Sequence, residues 1–167
     1  EYVGGTYDIP FGSYDYTTQL GWRIANTVPV VILLAWLFST IGTWMCAYLL
    51  VPQAHPLLRS ALAGVFIVLF DLQIEPVATI VNQYWVWVDT GWYYGVPWVN
   101  FVGWWLTGTV LAFLNDTRLQ ALYTTPATPS QLPLWHLALC MGLFVAMNSV
   151  AGHWLVVGIS LACMIAL

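Results

Sequence analysis

The chain has 167 residues, of which 60% are hydrophobic and 6% charged, with a net charge of −4 and no lysine; an ordinary soluble domain carries about 25% charged residues. This excludes a soluble globular domain, and the lack of any basic patch excludes nucleic acid as a partner and offers no anchor for anionic lipid. Cys46, Cys140 and Cys163 are odd in number, isolated and set in apolar runs, so they read as packing residues rather than as a disulfide framework or a zinc site.

Taken in chain order, residues 1–26 form an interfacial segment rich in aromatics and glycine. It contains Pro10-Phe11-Gly12-Ser13-Tyr14-Asp15-Tyr16 and one cation, Arg23. An apolar run over 28–51 follows, with Pro29 where a first helical turn would start and Pro52 just after the helix should stop, the positions at which proline punctuates helices. The next run, 57–81, contains Asp71-Leu72-Gln73-Ile74-Glu75-Pro76, and the proline is expected to kink the helix there. The 82–97 loop is crowded with Trp85, Trp87, Trp92, Tyr93, Tyr94 and Pro97, and leads into a run over 98–114 that carries Asn100 and Trp104. Further runs cover 132–151, with Pro133 at its start, and 153–167.

Because about 20 apolar residues are needed to cross a bilayer, the chain reads as all-α, a polytopic membrane helix bundle of about five transmembrane helices in a single integral membrane domain. It starts at Glu1 without a methionine and stops within an apolar run, so both ends are expected to be incomplete. Small residues recur every fourth position at Gly108 and Ala112, at Ala138, Gly142 and Ala146, and at Gly158, Ala162 and Ala166, and read as close-packing faces. Arg59 and Arg118 on one side against Arg23 on the other make the side of the 52–56 and 115–131 loops cytoplasmic by positive-inside logic.

The acid pair is the centre of interest. Each charged side chain near a bilayer centre costs roughly 2.5–3.5 kcal/mol, so intramembrane acids face a bundle interior, a cavity or a ligand. At i, i+4 spacing Asp71 and Glu75 share a helix face and influence each other's ionisation. One protonated carboxyl acting as general acid beside one anionic carboxylate fits that spacing. Hydrogen bonding across the bundle to Arg23, Asn82 or a tyrosine fits it as well.

Other chemistries are poorly served. His55, His136 and His153 have no metal-ligand spacing and read as interfacial residues, so no metal is expected. Motifs for a dinucleotide, a P-loop, a nucleophile elbow and magnesium diphosphate are missing, and no cofactor is expected. Asn148 reads as an interhelical hydrogen-bonding residue.

Four ordered motifs carry a resemblance covering most of the chain: Pro10 through Thr17 followed by Leu20-Gly21, Asp71 through Pro76, Trp85-Val86-Trp87, and Tyr94-Gly95-Val96-Pro97 with Asn100-Phe101-Val102-Gly103-Trp104. The chain resembles the carotenoid biosynthesis membrane protein family that contains carotenoid 1,2-hydratases. Family members tend to carry Thr-Gly shortly before Pro-Phe-Gly, where this chain has Tyr7-Asp8-Ile9, and normally have further helices before that segment.

The resemblance implies a prokaryotic membrane enzyme that adds water across the terminal isoprenoid double bond of an acyclic or monocyclic carotenoid, without cofactor. It makes Asp71 the proton donor, Glu75 the anionic partner or water-activating base, with the two exchangeable, and Asn100 or Tyr94 the holder of water. Phe11, Tyr14, Tyr16, Arg23, Trp85, Trp87, Pro97 and Trp104 become substrate-binding candidates. Faces of Trp85, Trp87, Tyr94 and Trp104 could stabilise a tertiary cation by about 2 kcal/mol when desolvated, and Arg23 is required near the acids.

Membrane lipid is the other expected partner. A second reading is a non-catalytic carotenoid- or lipid-binding subunit of a larger membrane complex, photosynthetic for example. A transporter or proton channel would also use intramembrane acids, but no inverted repeat or second unwound helix is evident.

Overall fold

The computed structural model describes residues 1–124 and 131–166. The side chains of Cys163 and Ala166 and residues 125–130 of the expected 115–131 loop lie outside the described residues. The chain is mostly helical: a short α1 (Tyr2–Tyr7) is followed by β1 (Tyr14–Tyr16), a 3₁₀ turn (Thr18–Leu20), β2 (Arg23–Ile24) and β3 (Val28–Pro29). Then come α2 (Val30–Leu50), α3 (Pro56–Pro76), a π-helical turn (Val77–Val81), β4 (Trp85–Trp87), α4 (Trp98–Thr124), α5 (Leu132–Val150) and α6 (Trp154–Ala166). Three of these stretches, Val30–Leu50, Pro56–Val81 and Leu132–Val150, are long and apolar enough to cross a membrane.

Proline marks the starts of α2 and α5 as the sequence suggests, at Pro29 and Pro133, and that of α3 as well. Pro29 caps α2 from an extended conformation, and Pro56 opens α3 behind His55, whose Nδ1 accepts from the Leu57 amide at 3.2 Å. Pro76 is the last residue of α3, and the chain runs on from it directly into the wider π-helical turn. Without an N–H, Pro76 cannot donate to the Leu72 carbonyl four residues back, and the Val77 amide turns to Ile74 instead, which frees the Gln73 carbonyl. Both acceptors are satisfied from elsewhere: the Tyr93 hydroxyl donates to Leu72 at 2.8 Å and the Asn148 amide to Gln73 at 2.9 Å.

Helices α3 and α4 run antiparallel and are fastened at several levels. Asn100 meets Asp71 at one end, and Arg59 meets Asp116 at the other. Between them a Cβ on Gly108 would sit 2.6 Å from Ile67, and one on Gly64 would sit 2.3 Å from Thr109, so the small residues there permit close approach.

The expected stripes on α5 and α6 behave differently. Ala138, Gly142 and Ala146, like Gly158 and Ala162, lie on exposed positions, and a Cβ on Gly142 or Gly158 would meet nothing within 4 Å.

Helix α4 also continues to Thr124, well past the expected end of its apolar run at 114. The chain turns polar at Asn115, but Asp116 remains inside because Arg59 holds it in a bidentate pair, Nε to Oδ1 and Nη2 to Oδ2, both at 2.7 Å. Arg59 is 1% exposed and also reaches the Pro52 carbonyl at 3.0 Å. It is therefore not a free loop charge of the kind the orientation argument assumed.

The 1–26 and 82–97 segments, read as aromatic interface, contain paired strands. Strand β1 pairs antiparallel with β4, Tyr14 opposite Trp87 and Tyr16 opposite Trp85, while β2 and β3 form a second two-stranded ribbon. Since side chains alternate along a strand, Tyr14, Tyr16, Trp85 and Trp87 share one face of the ribbon, and that face turns onto the helices.

Candidate active site

A cavity of about 270 Å³ lies between the ribbon and helices α2, α3 and α5. Its walls are mostly apolar, with Phe11 and Trp36 on one side and Phe70, Ile74 and Phe144 on the other. Trp36 stacks on Trp104 with ring centroids 4.3 Å apart, so one broad indole surface borders the space.

Glu75 lines this cavity and takes three side-chain N–H donors: Trp87 Nε1 at 3.0 Å and Trp85 Nε1 at 3.3 Å on Oε2, and Asn100 Nδ2 at 3.1 Å on Oε1. The same amide donates to Asp71 Oδ2 at 2.8 Å. One asparagine, placed on the first turn of α4, therefore bridges both acids of α3. Asp71 is fully buried but is not among the residues lining the cavity, and its Oδ1 has no hydrogen-bond partner among the described residues. The i, i+4 spacing thus stacks the carboxyls in depth, Glu75 in front and Asp71 behind.

Phe11, Tyr14, Tyr16, Trp85, Trp87, Asn100 and Trp104 all reach the cavity wall. Besides Asp71, three candidates do not. Arg23 donates through Nη2 to the carbonyls of Tyr16 and Thr17, both at 2.7 Å, and so pins the ribbon rather than approaching the acids. Tyr94 packs edge-on to Tyr93 and lies 5.0 Å from the His153 ring, between the 82–97 segment and the start of α6. Pro97 stands at the foot of α4, where a Cβ on Gly12 would come within 3.9 Å of it. The acids' partners are thus Asn100 and the two tryptophans, not the Arg23, Asn82 or tyrosine weighed from the sequence.

Several residues that sequence reasoning passed over belong to the site. Glu1 lines the cavity and accepts from the Tyr16 hydroxyl at 2.7 Å, the Tyr14 hydroxyl at 3.1 Å and Trp36 Nε1. His136, read as interfacial, lies at the far wall with Cys140. The period-two patterns Tyr-Asp-Tyr and Trp-Val-Trp were a usable signal for a ribbon, whereas nothing local marks a lone acid at position 1. Burial, and after it the neighbouring Glu1 carboxylate, pushes the Tyr14 and Tyr16 phenols above their ordinary range, so both remain neutral donors.

The arrangement offers a carboxyl group at the end of an apolar aromatic chamber and a second carboxyl coupled to it through an amide, with no cation among the described residues bonded to either. That equipment suits protonation of an apolar molecule and shielding of the charge that results.

Comparison with known proteins places the chain. A bisanhydrobacterioruberin hydratase from Haloarcula japonica is 30% identical over 120 residues, covering 70% of this chain and 40% of that protein. The chain therefore spans well under half the length of that relative. No solved structure matches it. The family model for carotenoid biosynthesis proteins matches residues 1–167, so this chain belongs to the carotenoid biosynthesis protein family.

Proposed function

We propose that the protein is a membrane-embedded carotenoid hydratase, adding water without cofactor to the terminal isoprenoid double bond of an acyclic or monocyclic carotenoid. The observation that carries this reading is Glu75, a carboxyl group presented to an apolar, aromatic-walled cavity with Asp71 coupled behind it through Asn100. Like charges so close in an apolar site do not both ionise, so the pair keeps at least one proton throughout. Of the two exchangeable roles, the geometry favours Glu75 as the donor, because it faces the cavity and Asp71 does not. Asp71, with a single donor and one oxygen that has no partner among the described residues, then stays protonated behind it, and the charge left on Glu75 is held by Trp85, Trp87 and Asn100.

Protonation of a trisubstituted alkene leaves a tertiary cation. Trp85, Trp87 and Trp104 border the cavity where that charge would form, and their π faces are worth about 2 kcal/mol when desolvated. The family membership and the hydratase relative agree with this chemistry.

The test is pigment analysis of carotenoid-accumulating cells expressing the full-length wild type, Glu75→Gln or Asp71→Asn at matched protein levels. Tertiary alcohol from the wild type, lowered about 10²–10⁴-fold in Glu75→Gln as expected for a removed general acid, supports the reading. A wild type that retains carotenoid on purification but makes no alcohol would replace it with the pigment-binding subunit.

A further inference from the structure

Hydration needs a base for the water as well as an acid for the alkene, and the cavity holds a second carboxylate in a matching cradle. The two strands of the ribbon divide their donors by row. On β1 the Tyr14 and Tyr16 hydroxyls point to Glu1, while on β4 the Trp87 and Trp85 N–H groups opposite them point to Glu75. Trp36 Nε1 adds a donor to the other Glu1 oxygen. All three donors are neutral, and the ion pair among the described residues, Arg59 with Asp116, lies at the opposite end of α3. Glu1 is therefore a carboxyl group fixed by hydrogen bonds at the cavity wall, and no ion pair among the described residues holds it.

We propose that Glu1 is the general base that activates water, an inference that rests on the hydratase reading. Asp71 is set behind Glu75 and lines no part of the cavity, whereas Glu1 and Glu75 both do. Glu1 and Trp36 also line a second groove of about 650 Å³ along α2 and α4, whose wall carries Thr40, Thr107 and Asn115. Thr107 and Asn115, both half-buried, give that groove a polar side along which water can reach Glu1.

In the reaction the Glu75 O–H bond breaks and the alkene π electrons bond its proton to the less substituted carbon. Water oxygen then forms the C–O bond to the tertiary cation while Glu1 takes one proton from that water. Glu75 is left as carboxylate and Glu1 as carboxylic acid, and a second water returns the proton from Glu1 to Glu75. The balance is one alkene and one water consumed, one tertiary alcohol formed.

The test compares full-length wild type, Glu1→Gln and Glu75→Gln in membranes supplied with an acyclic carotenoid in D₂O, reading alcohol and deuterium in the unreacted alkene. Glu1→Gln is expected to lose alcohol about 100-fold while still washing deuterium into the terminal isoprenoid unit, because the cation forms and can only lose a proton. Glu75→Gln is expected to lose both.

Alcohol from Glu1→Gln within about threefold of wild type, or loss of deuterium uptake together with alcohol, overturns the role of Glu1 alone. A wild type that makes no alcohol overturns the hydratase reading and this inference with it. If Glu1→Gln does not accumulate, Trp36→Phe removes one donor from Glu1 and keeps the ring. It is expected to lower alcohol about tenfold with deuterium uptake intact, and unchanged alcohol counts against the proposal.

Discussion

At the scale of single residues, the tryptophans around the cavity do two separable jobs. Trp87 gives its N–H to Glu75 at 3.0 Å and presents its ring to the cavity, and Trp104 presents a ring without touching the acid pair. Trp87→Phe removes a hydrogen bond to a charged or chargeable group, worth about 1.5–3 kcal/mol, and keeps a π face. Trp104→Leu removes the face and keeps every polar contact to Glu75. Both variants are expected to lower alcohol formation by about 10–100-fold. Only Trp87→Phe should shift the pH dependence of the rate, which a pH profile of both variants in membranes would check.

Asn100 illustrates why such roles resist reading from sequence. It was legible as a polar residue in an apolar run, but only the packing of α4 on α3 brings its amide between Asp71 and Glu75.

At the scale of elements, the turn at Pro76 is held by two side chains remote in sequence. Tyr93 satisfies the Leu72 carbonyl and Asn148 the Gln73 carbonyl, so the loop after β4 and helix α5 both dock on the break in α3. Tyr93→Phe leaves a buried carbonyl unpaired and is expected to destabilise the protein by about 1–3 kcal/mol. Adding Pro76→Ala restores the N–H that the carbonyl lacks, so Tyr93→Phe should cost less in that background. Thermal unfolding of the four combinations in detergent measures that coupling; equal costs in both backgrounds would refute the account. That the helix is disturbed at Pro76 was legible from the proline itself, while the π-helical form it takes and the partners of the orphaned carbonyls were not.

At the scale of the molecule, the pairing of α3 with α4 links the acid site at one end to the Arg59–Asp116 pair at the other. Asp116 Oδ1 also accepts from Trp44 Nε1 at 2.8 Å, which ties α2 into the same cluster. Removing one partner of a buried ion pair typically costs about 3–5 kcal/mol, because the other charge is left unpaired. Asp116→Ala is therefore expected to lower the unfolding temperature strongly, and the Arg59→Met, Asp116→Leu double variant to recover much of the loss. A double variant no more stable than Asp116→Ala would show that packing, not charge, sets the effect.

Composition and periodicity were sufficient to determine an all-α membrane bundle, the proline-marked helix starts and the acid pair on one helix face, because these depend on local spacing and on the cost of polar groups in an apolar medium. Only the tertiary structure decided that Glu75 stands in front of Asp71, that Arg23 pins the ribbon instead of the acids, and that Glu1 joins the cavity. Each of those outcomes depends on contacts between segments far apart in the chain. No local pattern encodes which carbonyl, indole or carboxylate a side chain will meet once the helices have packed.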